Sequence, residues 1–169
     1  MIRKLHHAAY RCRNSEETRR FYEDFLGLAF AGVLEIGQTK TGRETETLHT
    51  FYRMDDGSFL AFFEAPDMPF EFKPQHDFDL HIALEVDPQV LPAMFEEGKR
   101  RGIETRGVSD HGFIHSIYFR DPNGYVVELC ARTAGHDEAM DPSANDARRR
   151  LEDWNSRSAA AGLRQTSPP

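Results

Sequence analysis

The 169-residue sequence contains only two cysteines, Cys12 and Cys130, and a single tryptophan, Trp154. Two cysteines cannot form the disulfide framework that holds small secreted domains together. Both lie in apolar, strand-like runs, where a free thiol is most often a small core residue. The sequence therefore excludes a disulfide-stapled scaffold and favours a reducing, cytoplasmic setting.

Long apolar runs and an excess of basic residues are also missing. No stretch approaches the roughly 18 consecutive apolar residues of a membrane-spanning helix, and the start of the chain lacks the apolar core of a signal peptide. The net charge is −7, whereas nucleic acid binding requires clustered Lys and Arg. The one basic run, residues 147–150, indicates a solvated helix face. We expect neither a membrane nor a nucleic acid as a partner.

What the sequence does contain is the same plan twice. Residues 5–27 and 80–102 each begin with a strand-like run that carries a histidine, His7 in one copy and His81 in the other. Each run continues into an amphipathic helical pattern that ends at a glycine, and three more strand-like runs follow. The repeat predicts an α+β fold of two βαβββ modules.

The division of the chain follows from this repeat. We expect a first module at residues 1–65, a proline-containing linker at 66–77, a second module at 78–132 and a tail at 133–169. The sequence of the tail predicts one helix, which Trp154 would anchor on the domain or on a partner chain. The end of the tail has the composition of a disordered segment.

A glutamate, Glu128, stands inside the apolar run YVVELC, although a carboxylate is rarely buried without a partner. Alternate residues of a strand face the same way. This parity puts His7, His81 and Glu128 on the strand sides that face away from the helices. If pseudo-symmetric packing brings the first strands to one shared trough, the two histidines and Glu128 meet there, which predicts a metal site.

The chain resembles the vicinal oxygen chelate superfamily, which includes glyoxalase I, fosfomycin-resistance transferases and extradiol dioxygenases. The matching residues are His7 in LHHAAYRCRNSEETRRFYEDFLG, His81 in LHIALEV and Glu128 in IYFRDPNGYVVEL. The resemblance implies cupped mixed sheets around a divalent metal that chelates a small-molecule substrate through two adjacent oxygens. A ligand set of two imidazoles and one carboxylate suits Fe(II), which we expect, and also permits Mn(II) or Zn(II).

The resemblance to the extradiol dioxygenases is carried by two further residues. Those enzymes have a tyrosine ten residues before the metal-binding glutamate, and Tyr118 and Glu128 have that spacing. They also have an upstream histidine with an acid–base role, for which His111 is the candidate. We therefore expect an oxidoreductase that cleaves a catechol-like diol with O₂.

Other members of the superfamily provide alternatives. A glyoxalase-type isomerase or lyase would act through an enediolate, but Ala61 stands where glyoxalase I has a second metal-binding glutamate, and Glu64 has the opposite parity. A fosfomycin-resistance-type transferase is the third candidate. It ranks below the other two because those enzymes need a hydroxyl residue at the position of Ala9. A binding module without catalysis, like the bleomycin-sequestering relatives, would not need the three metal ligands.

Two further expectations concern the remaining histidines and the assembly. We interpret His6, His49 and His136 as structural or surface residues, expect His115 to point away from the site, and regard His76 as a possible neighbour of it.

The resemblance also implies a homodimer. In several relatives the first histidine of the metal site comes from one chain, and the second histidine and the glutamate come from the other.

Overall fold

A computed structural model describes residues 1–162 and contains two four-stranded mixed sheets. The first sheet consists of β1 (His7–Arg11), β2 (Ala29–Gln38), β3 (Glu44–Arg53) and β4 (Phe59–Glu64), in the order β1-β4-β3-β2. The second consists of β5 (His81–Glu85), β6 (Thr105–Asp110), β7 (Ile114–Arg120) and β8 (Val126–Arg132), in the order β5-β8-β7-β6. The predicted α+β fold of two βαβββ modules is confirmed.

Each module carries one crossover helix. In the first module α1 (Ser15–Arg19) continues as a π-helical stretch (Arg20–Phe25), and in the second α2 spans Val90–Arg100. Asn14 caps α1, because its side-chain oxygen accepts a hydrogen bond from the Glu17 N–H at 2.9 Å. Such helices are needed because β1 and β5 run parallel to β4 and β8, and parallel strands require a long crossover.

The two modules pair their strands in the same register. Ala9 of β1 lies beside Ala61 of β4, and Ala83 of β5 lies beside Glu128 of β8. Ala61 is therefore the counterpart of Glu128 in the first module, as the sequence predicts.

The helix-bearing faces of both sheets contribute to one hydrophobic core. The ring of Phe25, at the end of the first helix, meets Phe119 of β7 edge to face at 5.0 Å. Nearby, the buried Tyr22 hydroxyl donates a hydrogen bond to Asp121 at 3.1 Å. The opposite face of each sheet, which carries His7 or His81, lies outside this core. We call it the site face.

The C-terminal tail contains two helices, α3 (His136–Met140) and α4 (Ala147–Ala160), so the prediction of one helix is wrong. Between the two helices the Asp141 carboxylate accepts hydrogen bonds from the Ser143 N–H and hydroxyl, which form a local turn and separate α3 from α4. The predicted disordered end lies largely outside the described residues. Within residues 1–162, no helix combines the length and the apolar character needed to cross a membrane.

Candidate functional site

His81 and Glu128 lie next to each other on the site face of the second sheet. The His81 Nε2 atom is 3.3 Å from Glu128 Oε2. On the other side of the ring, His81 Nδ1 is 2.7 Å from the Asp77 carbonyl oxygen. A carbonyl can only accept, so Nδ1 carries a proton, and when the ring is neutral Nε2 presents its lone pair to the carboxylate. Two lone-pair donors at this distance suit a shared cation.

Glu128 is 5% exposed, and its two carboxylate oxygens have different neighbours. Oε1 accepts a short hydrogen bond from the Ser116 hydroxyl and a longer one, at 3.5 Å, from the Tyr118 hydroxyl. Oε2 faces His81. The hydrogen bonds therefore fix the carboxylate through one oxygen and leave the other for a ligand bond, as in many metal sites.

The two predicted catalytic residues lie together beside this pair. His111, in the loop after β6, places Nε2 2.8 Å from the Tyr118 hydroxyl. Burial, followed by the nearby Glu128 charge, raises the pKa of Tyr118 above its ordinary value. The Tyr118 hydroxyl lies within hydrogen-bond distance of both His111 Nε2 and Glu128 Oε1, so a chain of hydrogen bonds links His111 through Tyr118 to Glu128.

Three residues that the sequence did not single out support the cluster: Asp77, Arg106 and Ser116. Asp77 holds His81 through its carbonyl, and its carboxylate pairs with Arg106 at 2.9 and 3.0 Å. The Arg106 guanidinium lies 5.3 Å from the centre of the Tyr118 ring, which is a cation–π distance. Strand parity could have indicated Ser116, two residues before Tyr118, but Asp77 is in the segment between the modules and has no periodic signal.

His7 occupies the equivalent place in the first module, with different neighbours. Its Nδ1 lies 2.9 Å from His6 Nδ1, and its ring centre is 5.9 Å from Phe51 and 6.2 Å from His49. His49 is 5% exposed and stacks on Phe63 at 3.7 Å, and burial lowers its pKa. His49 is thus a buried structural histidine, as the sequence predicts, with Nδ1 3.1 Å from the Phe62 carbonyl oxygen, and it also lies beside His7.

A single chain does not bring the three predicted metal ligands together. Among residues 1–162, no group of three His, Cys, Asp or Glu side chains lies close enough to hold a metal ion. The predicted set of His7, His81 and Glu128 is therefore not assembled within one chain, and whether two chains assemble it stays a prediction. The physical reason is that both sheets turn their helix-bearing faces into the common core, which leaves His7 apart from His81 and Glu128.

The other candidates lie away from the cluster. His76 Nδ1 accepts a hydrogen bond from the Phe78 N–H at 3.1 Å and so belongs to a turn between the modules. His115 is exposed and lies 3.6 Å from Asp110. Glu64 accepts a hydrogen bond from the Ser15 N–H at 2.6 Å, so it turns toward α1 rather than the site face.

The fold and this arrangement point to one family, and a comparison of the sequence with family profiles agrees. The profile described as the Glyoxalase/Bleomycin resistance protein/Dioxygenase superfamily matches residues 4–129. The chain belongs to this superfamily. Its members act on small molecules and bind divalent metals. Among curated proteins, none matches the chain.

Solved structures show the same fold at low sequence identity. A glyoxalase/dioxygenase from Nostoc punctiforme is 24% identical, with a TM-score of 0.59, over 78% of this chain and 92% of that one. A glyoxylase/bleomycin resistance protein/dioxygenase domain from Frankia sp. EAN1pec is 17% identical, with a TM-score of 0.62, over 80% and 96%.

A third structure contains a metal. It is a glutamate-to-glutamine mutant of the fosfomycin resistance protein FosX from Listeria monocytogenes, complexed with Mn(II) and 1S,2S-dihydroxypropylphosphonic acid. It is 21% identical, with a TM-score of 0.57, over 81% of this chain and 98% of that one. At these identities the comparisons establish the fold and leave the reaction to be argued from the site.

Proposed function

We propose that this protein is a metal-dependent extradiol-type dioxygenase that cleaves a catechol-like diol with O₂. The observation that carries the proposal is the hydrogen-bonded chain from His111 through Tyr118 to Glu128, which ends beside His81. This chain combines an imidazole, a phenol and a pair of metal-type ligands within one cluster. Acid–base chemistry next to a metal needs these groups.

The metal would be held by His81 and Glu128 of one chain and by His7 of a second copy. His81 and Glu128 fit a divalent cation because their facing atoms are an imidazole nitrogen and a carboxylate oxygen. His7 is exposed on its site face and thus accessible to another chain. We favour Fe(II), and Mn(II) or Zn(II) suit the same ligands. The bound metal would supply Lewis acidity and, as iron, electron transfer to O₂.

The protein's own residues would position the diol and manage its protons. The Tyr118 hydroxyl would hydrogen-bond a substrate oxygen, and His111 would hold or deliver a proton at Nε2, a role that suits an imidazole near neutral pH. Ser116 would keep Glu128 oriented, and Asp77 would keep the His81 ring in the tautomer that presents Nε2.

An aromatic substrate is favoured by the surroundings of His7. Its ring lies 5.9 Å from Phe51, which contacts Phe59 at 6.2 Å. If a second copy brings this wall to the cluster around Glu128, the diol would lie between aromatic side chains on one side and hydrogen-bonding groups on the other. Offset or edge-to-face ring contacts would orient it.

The same geometry weighs against a glyoxalase-type isomerase. That alternative calls for a second carboxylate on β4, and the register places Ala61 there, while Glu64 is engaged with α1. The set of protein ligands would then be two imidazoles and one carboxylate, which leaves positions open for a chelating substrate and O₂.

The proposal is tested by metal analysis of protein purified without oxygen, followed by oxygen uptake with a panel of catechols. We expect about one iron per chain and diol-dependent oxygen consumption. His115→Ala is a matched control for histidine substitutions in the cluster and should keep both its iron and its oxygen consumption. His115 is a histidine of the same sheet that lies outside the cluster. Zinc or nickel, no oxygen uptake and isomerisation of a thiol hemiacetal would replace the proposal with the glyoxalase alternative.

The shared site has a separate test. His7→Ala and Glu128→Gln chains should each bind metal poorly, whereas a mixture should regain binding, because a heterodimer contains one intact set of three ligands. Metal content after mixing is the measurement, and it does not depend on turnover. If the mixture binds no more metal than the separate variants, the ligands do not come from two chains.

A further inference from the structure

An open groove of about 920 Å³ lies between the two modules, where the turn after β3 approaches the start of α2. Apolar side chains form its floor, and they include Leu26, Leu28, Leu84, Val86, Val90 and Met94. The charged lining residues are four acids, Asp55, Asp56, Glu85 and Asp87, and one base, Arg53, and of the acids Glu85 already pairs with Arg132. The groove is therefore an apolar surface with an acidic rim, which suits a partner that is apolar and basic.

A difference between matched turns explains why the groove is open. In the second module the Tyr125 hydroxyl, in the turn after β7, donates a hydrogen bond to the Arg11 carbonyl oxygen at 2.8 Å and so bridges to the other module. The turn after β3 has the same length, since the register pairs Arg53 with Phe59 and Arg120 with Val126. Ser58 therefore stands at the position of Tyr125, and its short side chain cannot make the bridge.

The C-terminal helix α4 has the complementary character. Leu151 and Trp154 are each 59% exposed and lie one turn apart. Arg150 and Arg157 line the same surface of the helix, together with Asp153, which lies 3.8 Å from Arg149. The helix contains four arginines and two acidic residues in ARRRLEDWNSRSAA, so it is basic overall. A large exposed tryptophan on an amphipathic helix indicates a surface that another protein covers.

The charges on both surfaces are available for pairing. Within residues 1–162, the side chains of Asp55 and Asp87 make no ion pair, and those of Arg150 and Arg157 make none either. Basic groups therefore flank the apolar pair of the helix, and acidic groups flank the apolar floor of the groove.

We propose that α4 of a second copy of this chain docks in the groove. Leu151 and Trp154 cover the apolar floor, and Arg150 and Arg157 face the acidic rim formed by Asp87 and its neighbours. The occupant is a second copy because within one chain α4 leaves Trp154 exposed while the groove stays open. When each of two copies docks its α4 in the groove of the other, both surfaces are covered at once.

The single tryptophan makes the docking directly measurable, because Trp154 is the only indole in the chain. With the full-length protein, raising the concentration should shift the Trp154 emission to shorter wavelength and reduce its quenching by acrylamide. Dilution should reverse both changes. Asp87→Arg should weaken this association at least about tenfold, because like charges then face each other. Glu96→Arg is the matched control, an exposed acid on α2 outside the groove.

A charge swap between chains distinguishes exchange from docking within one chain. One variant carries Asp87→Arg, and a second carries both Arg150→Asp and Arg157→Asp. Each variant should keep Trp154 exposed when it is alone. Mixed together, they should form a heterodimer in which both helices meet a groove of opposite charge, and the emission shift should return. Circular dichroism before mixing verifies that each variant is folded.

Three results would overturn the proposal. The first is a Trp154 emission that stays that of an exposed indole at all concentrations, even in a dimer formed through the metal site. The second is an emission shift that does not depend on concentration, which means docking within one chain. The third is an Asp87→Arg effect no larger than that of Glu96→Arg.

Discussion

The two modules place different residues on matching rows of their sheets. Across the first sheet one row contains Ala9, Ala61, Phe51 and Gly32, and across the second the same row contains Ala83, Glu128, Tyr118 and Arg106. The first row is apolar and the second carries a carboxylate, a phenol and a guanidinium. The same strand order and register thus support an aromatic wall in one module and a hydrogen-bonded cluster in the other, so the side chains decide the chemistry.

A second difference concerns how the modules contact each other. Asp121 and Tyr125 of the second module hydrogen-bond to Tyr22 and Arg11 of the first. At the matching place in the first module, Ser58 leaves a groove. The side chains of one turn therefore distinguish a closed contact from an open one, and Tyr125 is the largest of them. The following changes test these comparisons, from the largest expected effect to the smallest.

The largest effect is expected from His81→Ala. The proposed metal site should lose its metal and all detectable turnover, because the remaining ligands of one chain would be a single carboxylate. Metal content after dialysis measures the first effect and oxygen uptake the second. His6→Ala, which removes an exposed histidine next to His7, should have a far smaller effect on metal content. Retention of a full equivalent of metal by His81→Ala would contradict the site.

Tyr118→Phe makes the second row resemble the first, where Phe51 occupies this place. The variant should keep its metal, and kcat should fall by about 100-fold, since a positioned proton donor is lost. Steady-state oxygen uptake across pH measures this effect. Tyr52→Phe, on the core side of β3, is the control and should leave kcat near that of the parent. An unchanged kcat in Tyr118→Phe would remove the phenol from the mechanism.

Tyr125→Ser reproduces in the second module the residue found at the matching place in the first. Tyr125 is 3% exposed, so the variant loses a buried ring and a hydrogen bond. We expect the free energy of unfolding to fall by about 3 kcal/mol. Denaturant titration provides the measurement, and Ser58→Ala should cost much less. Equal losses in the two variants would mean that the two turns do not differ in their contribution to stability.

Tyr125→Phe should have the smallest effect near neutral pH, about 1 kcal/mol for one hydrogen bond. Burial raises the pKa of Tyr125 to about 12 from the model-peptide value of 10.0. A raised folded-state pKa gives stability that is complete below the unfolded-state pKa and is lost as pH rises toward the folded-state pKa. Between pH 10 and 12 the parent should therefore lose more stability than the variant. Parallel losses in alkaline denaturation curves would contradict this.

Much of the fold could be predicted because its signals are local. The repeated strand–helix–strand pattern indicated two βαβββ modules, and the parity of Glu64 indicated that it turns away from the site face. The first helix begins directly after its cap, Asn14, a kind of signal that is local because the capping side chain and the first turn are neighbours in sequence. The tail was less predictable, since the Asp141 turn competes with a helix over a few residues.

The site was only partly predictable, for a related reason. Strand alternation assigned His81 and Glu128 to the strand sides that face away from the helices, and the resemblance to extradiol dioxygenases supplied Tyr118 and His111. The structure places the four residues in one cluster. Asp77 could not be found this way, because it acts from an aperiodic segment through its backbone carbonyl. The role of these residues in metal binding and catalysis stays a prediction until the variants are measured.

By itself the sequence determined the repeat, the superfamily and the strand face of each candidate ligand, because these depend on residue spacing along the chain. Only the tertiary structure decided that both sheets direct their helix-bearing faces into one core, so that His7 does not join His81 and Glu128 within a chain. That outcome depends on how two modules bury their apolar surfaces against each other. Such packing is a property of distant residues and leaves no periodic signal in either module.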